Sequence, residues 1–222
     1  MEPKSSPDKI GIFPEAVEVE DLILGALGAI GGAVLFGVLQ PFPPADGGSW
    51  LRGEALPSGT AVFGWLLAFL AYAGFGFFSL VLARVDVRTQ TLPNGLVAWA
   101  TLWTIPLLAL AGHFRGDGIN ALGAWFSMAV SALLVFVLWL RVRPGIGGGD
   151  LKLVPVAAFV AAWGPPKEAL PGVSLLFVGL FLVGWMVMGL VALIRDVDVV
   201  PAGPVLVAAS WITFVVTRIP AF

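Results

Sequence analysis

An all-α bundle that crosses a membrane six or seven times is the fold class this sequence predicts, and three observations predict it. Of the 222 residues, 59% are hydrophobic and only 12% are charged, too apolar a mixture to be buried in one soluble core. The apolar residues fall in long runs, and about 20 of them wound as a helix cover a hydrocarbon layer of ~30 Å while satisfying their own backbone hydrogen bonds. Connectors rich in Pro and Gly, such as "PFPPADGGSW" and "WGPPKEALPG", separate those runs and mark chain reversals at the membrane surface.

Residues 1–21 form a polar, acidic tail. Its first 20 residues include Asp8, Glu15, Glu18 and Glu20 against only Lys4 and Lys9, so it lacks the basic start of a secretory signal peptide and reads as a disordered or surface-lying segment. Residues 22–222 are the membrane-embedded part, with expected spans at 22–40, 60–83, 95–112, 119–140, 173–194 and 203–217. A seventh apolar segment, 151–163, covers about two thirds of the layer at ~1.5 Å per residue. It is either a short tilted span or a re-entrant helix. Small residues at helical spacing, as in "GALGAIGGA" at 25–33, suit close packing between spans.

Basic residues orient the bundle, because cytoplasmic connectors carry the excess of Lys and Arg. With the N-terminus inside and 151–163 crossing, eight basic residues lie inside and four outside; with 151–163 re-entrant the split is nine to three. Charge does not choose between the two. Either way the connectors near 84–94 and 141–150 share the cytoplasmic face, which places Asp86 and Asp150 on one membrane surface.

Those two carboxylates are the candidate chemistry. Asp86 is expected in a tight connector, "ARVDVRTQTLPNGL", in which Pro93 and Asn94 open the next helix, since Pro tolerates the first helical turn. Its plain alternative is solvating a span end or pairing with Arg84 or Arg88. In "RPGIGGGDLKL", Gly145, Gly147, Gly148 and Gly149 permit a sharp turn or a close backbone approach, and Asp150 is expected to cap a helix beginning at Leu151. A phosphate cradle with Lys152 is the other reading of that turn, but the G-x-x-x-x-G-K-[ST] spacing is absent and no strand precedes it. Taken together, two carboxylates in a site of low polarity cannot both ionise easily, so one stays protonated while the other serves as a base toward water.

The two motifs carry a resemblance. "DVRTQTLPN" (86–94) followed by "GIGGGDLKL" (145–153) resembles the paired signature of the type IV prepilin peptidases, membrane aspartic proteases of the Gly-x-Gly-Asp class. Leu92 stands where that family usually has Ile; the second motif fits at every defined position. A third family feature, a Pro-Phe-Gly-Pro-like turn before the last helix, corresponds to "VPAGP" (200–204), with Ala202 at the aromatic position. The likeness covers roughly residues 60–215 and implies that 22–222 is a peptidase domain with Asp86 and Asp150 as the catalytic pair. It further implies that Gly147 and Gly149 shape the turn carrying Asp150. Gly145, Pro93, Asn94 and Lys152 match motif positions and are candidate substrate-binding or site-shaping residues.

The resemblance also implies the reaction: removal of the leader from a prepilin or pseudopilin at the cytoplasmic side of a prokaryotic inner membrane, with no cofactor. Longer relatives carry a zinc-binding four-cysteine domain and N-methylate the product. This chain has no cysteine and only a short connector at 40–60, so it resembles the short forms. Helix-end partial charges suggest Asp150 as the base and Asp86 as the acid.

Other function classes fit less well. No run of Lys or Arg supplies a nucleic-acid stripe, and the single histidine, His113, cannot build a metal site and is expected in a connector on the opposite face. Asp196 and Asp198 are expected to be solvated or paired with Arg195. A non-catalytic transport or assembly component is the main alternative, yet no charged residue interrupts the centre of an expected span as a midplane ion site requires. A lipid-linked phosphate transferase would need more acidic and basic residues together. Oligomeric state is not legible.

Overall fold

A computed structural model describes residues 17–40, 59–116, 118–141, 148–164, 170–195 and 201–218. Among these, seven helices and no strands occur: α1 (Val19–Leu39), α2 (Gly59–Thr89), α3 (Asn94–Phe114), α4 (Gly118–Arg141), α5 (Gly148–Ala162), α6 (Leu170–Arg195) and α7 (Gly203–Val216). Five of them are long and apolar enough to cross a membrane; α7 is a shorter apolar helix. The protein is a polytopic helical membrane bundle.

Why the pieces pack as they do is written in small residues. The buried positions of α1 are Asp21, Gly25, Gly28, Gly32 and Phe36, a stripe at helical spacing that lies antiparallel on α2. A Cβ on Gly28 would stand 2.2 Å from the Gly76 carbonyl oxygen, and one on Gly76 would stand 2.1 Å from that of Gly28. Backbone thus meets backbone at this crossing, which only glycine allows. Outward-facing Ile23, Leu27, Ile30, Val34 and Val38 are exposed, as lipid contact requires.

The marginal segment becomes the centre of the bundle. Leu153, Val154 and the run from Val156 to Trp163 are all buried, because α5 is enclosed by α3, α4, α6 and α7. Its neighbours also reach its backbone: Tyr72 Oη–H donates to the Val160 carbonyl at 3.0 Å and Ser210 Oγ–H to that of Ala157 at 2.9 Å. Trp163 Nε1–H in turn donates to the Leu108 carbonyl at 3.0 Å. A helix shielded from lipid on every side need not match the layer's thickness, which is why span length alone left 151–163 ambiguous.

The direction of α5 resolves the ambiguity. Gly164, just past its C-terminal end, lies near the side chains of Gln40 and Arg218, at the finishing ends of α1 and α7. Arg218 donates to the carbonyls of Trp163 and, at 2.8 Å, Phe214, while Arg115 after α3 stacks its guanidinium over the Trp163 ring. On the other side of this end, α6 sets out beside the early turns of α4, with Ser174 Oγ–H donating to Ser127 Oγ at 2.7 Å. α5 therefore runs from one end of the bundle to the other, as a seventh crossing segment and not a re-entrant one.

Candidate active site

Asp86 departs from its expected place in a connector. α2 continues through Thr89, and Asp86 lies in its last turn, 3% exposed. Thr89 Oγ1–H donates to the Val85 carbonyl at 2.8 Å, and Gln90, with φ 53°, ends the helix in a left-handed conformation. The extra turn and a half is supported by tertiary burial: Val85 and the following Leu92 and Leu96 belong to one apolar cluster with Leu153, Val154, Ala202, Val205 and Leu206. That cluster joins α2, α3, α5 and α7 at the end where Asp86 sits.

Pairing of Asp86 with Arg84 or Arg88 gives way to a different arrangement. Side chains two residues apart on a helix point to different sides, and these two guanidinium groups reach across to α1. Arg84 pairs with Glu20 and, at 2.9 Å, with Asp21; Arg88 pairs with Glu18 at 2.7 Å and with Asp21 at 3.1 Å. On the opposite side of α2, the Gly203 N–H at the start of α7 donates to Asp86 Oδ2 at 2.9 Å. A side chain there would force Asp86 or the start of α7 to shift, since a Cβ on Gly203 would stand 2.8 Å from the same oxygen and 3.2 Å from Asp86 Cγ.

Asp150 lies in the first turn of α5, which begins at Gly148 and not at Leu151. The carboxylate is thus inside the helix start and not at a capping position, and it is 7% exposed. Gly145 and Gly147 lie outside the described residues; Gly149 is in the first turn with Asp150. Lys152 Nζ–H donates to Asn94 Oδ1 at 2.7 Å, which fastens the start of α5 to the start of α3. Pro93 immediately precedes α3, with φ −62° and ψ 124°, so it stands at the cap and not within the first turn. Asp86, Asn94, Asp150, Lys152 and Gly203 thereby gather at one end of the bundle.

His113 lies at the other end, exposed in the last turn of α3 and not in a connector. Asp196 and Asp198 fall outside the described residues. Among the described residues, no three His, Asp or Glu side chains converge as metal ligands do. The helix-end argument that separated the roles of the two carboxylates no longer does so, because Asp86 lies both at the end of α2 and against the positive N-terminus of α7.

Two residues at this end were not singled out from sequence. Gly203 lay inside the "VPAGP" match without a role, and its signal was a glycine followed by proline at a helix start. Asp21 was grouped with the tail, although Glu18-x-x-Asp21 before an apolar run is a helix-start pattern and antiparallel spans bring it to the Arg84 end.

Residues 73–194, more than half of the chain, match the model of the type IV leader peptidase family. The chain belongs to that family. No curated protein and no solved structure matches it. The match runs from the middle of α2 to the end of α6, so this peptidase carries Asp86 and Asp150 inside the family region, and α1 and α7 outside it.

Proposed function

We propose that this peptidase is an aspartic endopeptidase that removes the leader of a type IV prepilin or pseudopilin, using Asp86 and Asp150 to activate water at the cytoplasmic face of a prokaryotic inner membrane. The observation that supports it most is the burial of both carboxylates at one end of the bundle, on two helices joined through α3 and α7. Buried carboxyl groups held near each other titrate as a unit, one keeping a proton that the other lacks.

The chemistry then balances without another reactant. The ionised carboxylate takes a proton from water as the water oxygen attacks the scissile carbonyl carbon, and the protonated partner donates to the carbonyl oxygen. The tetrahedral intermediate collapses as the C–N bond breaks: the departing amine receives the proton taken from water, and a hydroxyl of the intermediate returns its proton to the second carboxylate as the new carbonyl forms. The eight-to-four division of basic residues that follows when α5 crosses supports the cytoplasmic side for this end of the bundle. A precursor whose apolar helix rests in the membrane would present its polar leader there.

Coexpression with class pilins, reading leader removal by mobility shift, tests the reading. Asp86→Asn and Asp150→Asn are each expected to abolish the shift with the protein still present in the membrane. Substantial processing by either variant overturns the two-carboxylate reading.

A further inference from the structure

α1 and the final turns of α2 meet through charge as well as packing. Asp21 has no exposed surface; its Oδ1 lies 2.9 Å from Arg84 Nε, and its Oδ2 lies 3.1 Å from an Arg88 nitrogen and accepts the Glu18 N–H at 2.8 Å. A carboxylate this deeply buried is expensive unless it is paired; both oxygens of Asp21 lie within ion-pair distance of a guanidinium, although Oδ1 accepts no hydrogen bond. Glu18 and Glu20, both largely exposed, add one contact each to the two guanidinium groups.

What this arrangement serves follows from where the arginines are. They flank Asp86 at two residues on either side, on long flexible arms near the end of α2. Either arm, released, could swing around the helix end toward a reacting carboxylate. The family region contains both arginines but not their counter-charges, since α1 lies before it.

We propose that Asp21 is a positioning residue for proteolysis: it holds Arg84 and Arg88 on the α1 side of α2, leaving Asp86 to the Gly203 N–H, and splints the turns that carry Asp86. This rests on the reading of Asp86 as a reacting group, tested separately by Asp86→Asn. The full chain in lipid nanodiscs is assayed with a pilin precursor that the wild type cleaves. Asp21→Asn is expected to lower kcat at least tenfold with KM within twofold. Adding Arg84→Gln and Arg88→Gln to Asp21→Asn removes the released charges and is expected to restore kcat to within about threefold of wild type.

A merely structural role predicts no such rescue. A triple variant as slow as Asp21→Asn, or full activity in Asp21→Asn alone, overturns the proposal. If Asp21→Asn fails to fold, Asp21→Ser, which also removes the charge that holds both guanidinium groups, carries the test: a several-fold loss of kcat, reversed by the two arginine substitutions, supports it, and unchanged kcat overturns it. Activity in Asp86→Asn would instead overturn the catalytic reading beneath it.

Discussion

Gly203 contributes no side chain, yet two properties of it bear on Asp86: a backbone N–H that donates to Oδ2 at 2.9 Å, and the lack of a Cβ that would stand 2.8 Å from the same oxygen. Gly203→Ala therefore has to move Asp86 or the start of α7. Because a misplacement near 1 Å costs roughly 100-fold in rate, kcat is expected to fall by about that factor, with KM within threefold and helicity unchanged by circular dichroism. Near-normal kcat would mean that this contact does not position the proposed catalytic carboxylate. At this scale the sequence singles out the two aspartates as candidates through their motifs, but not what holds them. The Gly203 contact joins residues 117 apart in the chain, and the pairing of Arg84 and Arg88 with α1 depends on which side of a helix each side chain leaves. Both are settled by packing and not by local pattern.

Among the elements, α5 shows most plainly where sequence reading stops. Length and hydropathy describe how a segment meets lipid, and α5 scarcely meets lipid at all. What identifies it as a crossing is where its two ends lie: Lys152 bonds Asn94 at the start of α3, and Gly164 lies beside Gln40 and Arg218 at the finishing ends of α1 and α7. Its start follows a glycine-rich stretch with few side chains to anchor it, so the bond from Lys152 to Asn94 is the described side-chain tie between that first turn and α3. A charge-assisted hydrogen bond contributes roughly 1.5–3 kcal/mol when buried; exposure here reduces it to about 1 kcal/mol or less. Asn94→Ala and Lys152→Met should each lower kcat by about two- to fivefold. The double variant should be no worse than the more impaired single one, because both remove the same contact. Fully additive losses in that cycle would show that the two side chains act separately.

At the largest scale, the antiparallel order of the seven helices among the described residues gathers the aspartates, the α1 acids and the α7 start at one end, and Gln40, Trp163, Arg115 and Arg218 at the other. The six-or-seven uncertainty of the sequence came from a single segment, and the outcome matters for orientation because each crossing reverses the side of everything after it. With α5 crossing, Arg195 falls on the aspartate side and Arg218 on the other, and the proposed cytoplasmic placement of the aspartate end rests on the positive-inside bias. The absence of cysteine makes this directly measurable, since a single introduced thiol is the only reactive one. Thr91, exposed beyond the end of α2, and His113, exposed at the far end of α3, report the two sides. In intact cells a membrane-impermeant maleimide should label His113→Cys and spare Thr91→Cys, and it should label both once the membrane is opened. The reverse pattern would place the buried carboxylates on the outer side, where a leader still held in the cytoplasm could not reach them.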